Sequence, residues 1–233
     1  MSDKSKGPNY WAIGDCKEVT MNGKVSDGLT LANYIAWVYI IGFNHNAERE
    51  GYGIAFQGFK ARNTGPDVCL VDSAYGDTHT SGIWLSMNNS ETNTGGWEAC
   101  LMRKNVMPLI KAAFPADLQA VIKSSTIFTA PSNGNVALTA TQDEVFLLAE
   151  YEIFGTHHNA STQEPNYLKQ YGYYSAGNSK VMYKHEDIST AAYWWERSLN
   201  ASNTIGFCGV YTDGSAVGYR ANFSSGVAPC FKV

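Results

Sequence analysis

The C-terminal stretch over residues 193–233 constrains the fold of this chain more than any other part of the sequence. It mixes two populations of residues, one apolar and one small or polar. The apolar or turn-forming residues, typical of buried strands and their turns, are Trp194, Trp195, Phe207, Cys208, Val210, Gly226, Val227, Pro229, Phe231 and Val233. The polar population is rich in Tyr, Ser, Gly and Asn, which combine rigid contact area with adaptable hydrogen bonding in binding surfaces. The pattern predicts a rigid β framework that carries an exposed binding surface.

Composition favours an irregular, sheet-rich fold over a helical bundle. Charged residues make up only 16% of the chain, while there are 14 Tyr, 10 Phe, 6 Trp and 22 Gly. A chain of 233 residues can bury a sizeable core without disulfide bonds or a structural metal ion. One domain over residues 9–233 is the simplest interpretation. The net charge is −4 and no basic stripe is present, so a nucleic-acid partner is not expected.

No membrane insertion is expected either. The longest apolar run, residues 34–43, has about half the length of a membrane-spanning helix. Residues 1–8 are polar and lack the apolar core of a secretory signal, so they predict a flexible leader. The protein is therefore expected to be made in the cytoplasm without a signal peptide.

The sequence pattern of the N-terminal third predicts β-strands. Residues 17–21 alternate in character and end at Asn22-Gly23, a strong signal for a hairpin turn. Residues 34–43 are too apolar and aromatic for an edge strand, so they predict a central strand buried on both faces.

The middle of the chain changes to helical patterns. Residues 95–103 place Trp97, Cys100 and Leu101 on one helical face, and residues 115–123 predict a second short helix. A loop is expected at 133–135.

A capping box follows in the sequence. Thr141 and Glu144 have the spacing of such a box, and residues 145–154 would then be a short helix turning into a strand, closed by Gly155. Residues 156–190 are polar, rich in Tyr and without clear periodicity, which predicts a surface insertion of the kind that often carries function.

Five short motifs together resemble a known domain. They are W-x-I-G-D at 11–15, G-G-W-x-x-C-x-M-R at 95–103, F-L-L-A-E-Y-E-I-F-G at 146–155, Y-W-W-x-R-S at 193–198 and G-V-A-P-x-F-x-V at 226–233. In this order they look like a domain of unknown function found in gut-bacterial and phage-encoded proteins. The tail also resembles the variable region of proteins diversified by retroelements, in which error-prone copying at adenines changes some codons and spares the framework.

The resemblance implies an α+β, C-type-lectin-like fold with an irregular, mostly antiparallel sheet and short helices in the middle of the chain. Its last strands, residues 194–233, would display the varied side chains. By position these are Asn200, Asn203, Thr204, Ile205, Gly209, Tyr211, Gly218, Tyr219, Arg220, Asn222 and Phe223. Glu196 and Leu199 depart from the family pattern, which marks them as diversified positions or shifts the register of the match; we include Glu196 in the expected ligand-binding set.

The function that this resemblance implies is ligand or receptor binding without catalysis, in a phage tail or virion-associated attachment protein. The partners would be a host-surface protein or glycan and other virion or tail proteins. A homo-oligomer is expected, with a trimer as one arrangement. The alternatives are a structural decoration module of a virion, and an enzyme similar to the formylglycine-generating oxidases, with Cys208 and Cys230 as its reactive thiols.

Several residues invite a chemical interpretation. Glu150 and Glu152 would share a face if they lie on a strand, and a buried structural pair with Arg103 or Arg197 is the expected role of one of them. Arg197 favours such an ion pair over a ligand clamp.

The Trp pair and two histidines have simple structural interpretations. One of Trp194 and Trp195 is expected in the core and the other outside, because neighbouring strand residues face opposite sides. His157 and His158 are expected to be loop residues, because adjacent His residues are a poor chelate and no third ligand is identifiable.

No catalytic, cofactor or metal site is expected. The sequence has no phosphate-binding loop, nucleophile elbow or zinc signature. Glu164-Pro165-Asn166 has the letters of a sugar-binding calcium motif but lies in the 156–190 insertion, so we interpret it as a coincidence. The five scattered cysteines predict free buried thiols, and a Cys208–Cys230 bridge stays open.

Overall fold

The structure is a computed structural model that describes residues 10–130 and 138–233. The expected leader at 1–8 and the loop at 133–135 lie outside these ranges. The described chain is built mostly of strands in open sheets with a few short helices, so the expected α+β class with mainly antiparallel pairing is confirmed. None of its described helices is long and apolar enough to span a membrane.

The elements run as follows. The strands are β1 (Cys16–Ser26), β2 (Leu29–Phe43), β3 (Ile54–Lys60), β4 (Asp67–Cys69), β5 (Ser125–Thr129), β6 (Thr139–Asp143), β7 (Val145–Phe146), β8 (Met182–Lys184), β9 (Asp187–Ala192), β10 (Trp194–Leu199), β11 (Gly206–Val210), β12 (Ala216–Arg220) and β13 (Cys230–Lys232). The helices are α1 (Ala47–Glu50), α2 (Gly96–Ala99), α3 (Met107–Ala113), α4 (Ala116–Gln119), α5 (Glu150–Phe154) and α6 (Gly172–Ser175), with a π-helical segment over Met102–Val106 before α3.

The larger sheet has the order β1-β2-β3-β4-β8-β9, and β13 joins it by pairing with both β3 and β7. All of these pairs are antiparallel except β4 with β8. The central position expected for the strand at 34–43 is confirmed, because β2 lies between β1 and β3. Burial on both faces is confirmed only for residues 38–42, whereas Ile35 is 54% exposed. Phe231 of β13 stacks on Phe56 of β3 at 5.4 Å, which ties the C-terminal strand into the core.

The hairpin turn expected at Asn22-Gly23 is wrong. Strand β1 continues to Ser26, and the turn is formed by Asp27-Gly28, a dipeptide with the same turn preference. Gly23 instead has a φ of 128° beside an irregularity in the β1–β2 register. A glycine inside a strand is typical of such a bulge.

The helix expected over 95–103 is interrupted. It forms as α2, breaks at Cys100 with an extended backbone, and resumes as the π-helical segment and α3. Trp97 and Cys100 are fully buried, as their spacing indicates, and the Trp97 indole N–H donates to Asp143 at 2.9 Å.

The capping box expected at Thr141 and Glu144 is wrong, and so is the order of elements after it. Thr141 lies in β6, where its hydroxyl donates to Asp143 at 2.6 Å. The segment 145–154 is a strand followed by a helix, since β7 precedes α5. The stop at Gly155 is confirmed by its left-handed φ of 71°.

The 156–190 segment contributes to the core as well as to the surface. Its residues Tyr171 and Tyr174 are buried, and the Tyr174 hydroxyl donates to Gln57 at 2.6 Å. Strand β8 extends the larger sheet beside β4. The sequence pattern missed this because tyrosine rings with a hydrogen-bonded hydroxyl can be buried without an apolar periodicity.

The remaining strands form a three-stranded sheet in the order β10-β11-β12, which we call the smaller sheet, and the separate pair β5-β6. A buried ion pair joins the smaller sheet to the helix α5. Arg197 of β10 donates to Glu152 at 2.6 Å and to the carbonyl oxygen of Leu147 at 2.8 Å, and neither charged side chain is exposed. Burial alone would raise the pKa of Glu152, but the guanidinium of Arg197, together with His45 and the backbone N–H of Ala149, outweighs burial and lowers that pKa. The structural ion pair expected for Arg197 is confirmed.

The shared face expected for Glu150 and Glu152 is wrong, because both residues lie on the helix α5 rather than on a strand. Glu152 turns to Arg197, whereas Glu150 accepts backbone N–H groups of the following loop at 158–160. The alternative partner Arg103 pairs with Asp143 instead.

Replacing Glu152 by Gln should lower the free energy of unfolding by about 3–5 kcal/mol, because it leaves the Arg197 charge buried and unpaired. The measurement is urea denaturation followed by Trp fluorescence. Glu144→Gln is the matched control: Glu144 pairs with Lys111 at the surface, so its loss should cost about 1 kcal/mol or less. Equal effects of the two substitutions would contradict a special role for the buried pair.

Candidate functional site

The smaller sheet, in the order β10-β11-β12, and the loops at the ends of its strands carry the expected ligand-binding residues. Trp194 and Trp195 on β10 anchor this sheet in the core. The Trp194 indole donates to the carbonyl oxygen of Lys180 and the Trp195 indole to that of Leu85, each at 3.0 Å, and both rings are buried. The expectation that one Trp faces outward is wrong, because the fold covers both sides of β10 and supplies each N–H with a partner.

Five aromatic side chains form a continuous surface beside the Trp pair, which we call the aromatic face: Tyr75, Tyr193, Tyr211, Tyr219 and Phe223. Tyr219 stacks on Phe223 at 5.2 Å, and Tyr75 stacks on Tyr193 at 5.5 Å. Tyr193 also contacts Tyr219 at 4.9 Å and Tyr211 at 5.5 Å. Tyr211 is 39% exposed and the other four rings are half-buried.

Polar contacts fix the aromatic face in place. The Tyr75 hydroxyl accepts the backbone N–H of Tyr193 at 2.9 Å, and the Lys184 ammonium lies 4.5 Å from the centre of the Tyr75 ring. At the end of β12, Arg220 forms an exposed ion pair with Glu91 at 2.7 Å. The first two contacts fix the positions of Tyr75 and Tyr193 relative to each other and to β8.

A second aromatic pair lies alongside. His79 stacks on Trp84 at 4.4 Å, and the backbone N–H of His79 donates to the carbonyl oxygen of Asn222 at 2.9 Å. Because Asn222 directly precedes Phe223, this pair borders the aromatic face.

A polar groove of about 440 Å³ lies at the start of β11. Its lining residues have mostly small amide or hydroxyl side chains and are Asn93, Ser161, Thr162, Gln163, Leu199, Asn200, Ala201, Ser202, Asn203 and Thr204. The buried Asn93 holds one wall, since its amide donates to the carbonyl oxygens of Asn203 and Gly206, each at 3.0 Å. Gly206 pairs with Arg220, so the groove and β12 meet at this end of the sheet.

The structure divides the expected ligand-binding set in two. The exposed or half-exposed members are Asn203, Thr204, Ile205, Tyr211, Gly218, Tyr219, Arg220 and Phe223. The buried members, which contribute no exposed side chain, are Glu196, Asn200, Gly209 and Asn222.

Tertiary contacts explain this burial. A Cβ on Gly209 would meet the Trp194 carbonyl oxygen at 2.7 Å, so the two strands approach too closely there for a side chain. The Asn200 amide oxygen accepts the backbone N–H of Ser202 at 2.9 Å and stabilises the turn after β10. Tyr75 and Tyr193 are members of the aromatic face that sequence reasoning missed. No local pattern relates them, because they lie 118 residues apart.

One group of described side chains has the composition to hold a metal ion. One ligand atom from each of Glu150, Glu196 and Cys208 lies within 4.8 Å of the other two, and all three residues are buried. The sequence predicted no metal site, because these residues follow no ligand spacing. Glu164 belongs to the same region, since it accepts a short hydrogen bond from Ser198.

All five cysteines lie within the described residues and are free thiols, so Cys208 and Cys230 are not bridged. The expected burial is confirmed for Cys69, Cys100, Cys208 and Cys230, whereas Cys16 is half-buried. Burial raises the pKa of both Cys208 and Cys230, which is the opposite of what a reactive thiolate requires.

The adjacent histidines do not act as a chelating pair. His157 lies 3.4 Å from Glu164, whereas the ring of His158 packs edge-on against Phe154. The two side chains therefore have different partners, which fits their expected place in a loop.

One family model matches residues 69–233: DUF6273, described as a domain of unknown function. The match contains the smaller sheet, the aromatic face and the polar groove. No curated protein and no solved structure matches the chain.

Gly209→Ala should lower the free energy of unfolding by about 1–3 kcal/mol, because the new methyl group forces β10 and β11 apart. Tyr211→Ala should change it by about 1 kcal/mol or less, since that ring is partly exposed at the edge of the face. Urea denaturation of both variants tests the division of the expected set into framework and surface. The division fails if Tyr211→Ala is the more destabilising of the two.

Proposed function

The chain belongs to the DUF6273 family, a domain of unknown function, and we propose that its role is to bind a macromolecular ligand, a protein or a glycan, through the aromatic face. The observation that carries this proposal is the set of ring contacts among five partly exposed aromatic residues on one surface, two pairs of which are stacked. Contiguous exposed aromatic surface is uncommon on soluble proteins unless it meets a partner.

The physical character of the face supports binding. Tyr presents a large, rigid, amphipathic surface at low entropic cost, and Tyr and Arg are enriched among the residues that dominate binding energy. Tyr193 is at the centre, in contact with Tyr75, Tyr211 and Tyr219, and its backbone is fixed by the Tyr75 hydroxyl. Little ordering of the free protein remains to oppose binding.

The polar groove would extend the same site. Asn203 and Thr204 line it, and the loop that carries them leads into β11, whose first residue pairs with Arg220. Amide and hydroxyl groups beside stacked rings suit a ligand that offers both hydrogen-bonding groups and flat or apolar faces. Sugars and peptide segments both meet that description.

The resemblance of the tail extends this proposal. It would make the fold C-type-lectin-like and the exposed residues a diversified surface of a phage tail or virion-associated attachment protein. Several copies in one particle would then gain avidity without any new contact. The alternative of an oxidase-like enzyme loses support from the buried, unpaired Cys208 and Cys230, whose raised pKa disfavours thiolate chemistry.

Binding to cells tests the proposal. Fluorescently labelled protein is incubated with a panel of gut-bacterial cells, and the double variant Tyr211→Ala/Tyr219→Ala is compared with wild type. We expect at least about a tenfold loss of apparent affinity, because a cluster of contact rings is removed. Tyr52→Ala removes a ring of similar exposure outside the face and should bind normally.

A melting curve must accompany each variant in this experiment. Normal cell binding by a folded double variant, or an equal loss in the Tyr52 control, would contradict the aromatic face as the site.

Sequencing the gene across isolates of one source population tests diversification separately. Changes at adenine positions should concentrate in the codons of Asn203, Thr204, Tyr211, Tyr219 and Arg220. They should spare the codons of the buried residues Glu196, Asn200, Gly209 and Asn222. If the codons of the exposed residues are invariant across isolates, the diversification proposal is wrong. The cell-binding experiment would still decide whether the aromatic face binds a ligand.

A further inference from the structure

The pairing of β10 with β11 contains a large irregularity. Trp195 pairs with Gly209 and Leu199 pairs with Phe207, so three residues of β10 at 196–198 lie opposite the single residue Cys208. Such bulges re-aim side chains and are over-represented next to functional sites.

The bulge sends its side chains in two directions. Arg197 reaches Glu152, whereas Ser198 contacts Glu150 and Glu164, and Glu196 lies beside Glu150 and Cys208. Two acidic side chains, Glu150 and Glu196, are thereby collected beside Cys208.

Glu196 is the exceptional member of this group. It is fully buried, yet neither of its carboxylate oxygens has a hydrogen-bond partner among the described residues. Buried polar groups in folded proteins are almost always satisfied by protein, water or an ion, because leaving them unpaired is costly. The neighbouring Arg197 does not satisfy this carboxylate, since its Nη1 donates to Glu152 and Leu147.

We propose that Glu150, Glu196 and Cys208 bind a divalent transition-metal ion of the zinc type. Their ligand atoms all lie within 4.8 Å of one another, and a closure of at most about 1.5 Å would bring them to the separation that tetrahedral zinc imposes. A thiolate combined with carboxylates selects zinc-like ions over the hard ions calcium and magnesium, which take oxygen ligands. The ion itself displaces the Cys208 thiol proton, which leaves to solvent together with any proton held by Glu196.

The surrounding residues are arranged to support such an ion. Glu150 is oriented by backbone N–H groups of His158, Asn159 and Ala160 at 2.7–3.1 Å. Ser198 accepts the backbone N–H of Glu150 at 2.9 Å and donates to Glu164. Partners of this kind fix the orientation of metal ligands and contribute to affinity.

Glu164 and the polar groove lie close to these three residues. The second carboxylate oxygen of Glu164 accepts no hydrogen bond among the described residues but lies 3.4 Å from Nε2 of His157. Glu164 would therefore exchange this contact for the ion, directly or through water, to serve as the fourth ligand. Gln163 and Leu199 line the polar groove and directly adjoin Glu164 and Ser198 in the chain. The groove therefore borders the site, and an ion bound there would stiffen one of its walls.

The test uses the full chain, purified without chelators and without metal-affinity resin. Elemental analysis should find about one zinc-type ion per chain, and zinc should raise the melting temperature of the stripped protein. Cobalt substitution should give a thiolate-to-cobalt charge-transfer band in the near ultraviolet, which reports directly on Cys208.

Two substitutions locate the ligands, and two controls match them. Glu196→Gln and Cys208→Ser should weaken zinc binding by at least about tenfold, as even supporting residues of metal sites do. Cys208→Ser should also remove the cobalt band. The controls are Glu18→Gln at an exposed carboxylate and Cys100→Ser at another buried thiol, and both should retain the ion.

Measurements on the wild-type protein alone decide whether the ion binds, even if a variant fails to fold. Absence of both zinc-dependent stabilisation and the cobalt band would overturn the proposal and leave Glu196 as a protonated buried carboxyl. Stabilisation by calcium that persists in Cys208→Ser would also overturn it, because the thiol would then not be a ligand.

Discussion

The buried pair of Arg197 and Glu152 is the constraint on which the C-terminal half of the structure depends. Burying a guanidinium is costly unless a carboxylate pairs with it, so the position of β10 is tied to the point where α5 presents Glu152. The same arginine bonds the carbonyl oxygen of Leu147, which ties the strand to the segment before that helix. With β10 fixed in this way, both neighbouring Trp side chains are directed into the core and their indole N–H groups find carbonyl partners.

The surface follows from that frame. Strand β11 packs between β10 and β12 and is buried along its whole length, whereas β12 is half-exposed. Tyr219 on β12 can therefore project a ring outward while its neighbours hold the backbone. The face is completed from a distant part of the chain by Tyr75, so it exists only when the whole fold has formed.

Sequence reasoning identified the framework better than the surface. The apolar residues expected to be buried, such as Phe207, Val227 and Phe231, are buried, because hydrophobic patterning directly reports the preference for the interior. The burial of Gly209 and Asn200 could not be predicted from hydrophobic patterning, because it depends on how closely another strand or turn approaches them. The same holds for Asn22-Gly23: two dipeptides with equal turn preference compete, and only the register with β2 decides between them. The position of Glu196 was recognised as unusual, yet only three-dimensional neighbours reveal that its carboxylate is enclosed.

The insertion of β13 between β3 and β7 has a consequence for how the chain reaches its native state. Until this strand docks, β3 presents unpaired backbone groups over Ala55–Gln57, the kind of open edge that recruits strands from other molecules. Docking also requires pairing between residues separated by most of the chain, and such non-local contacts form slowly. Aggregation is therefore most probable before β13 has docked onto β3. The need for chaperones should depend on how fast β13 docks rather than on the stability of the folded protein.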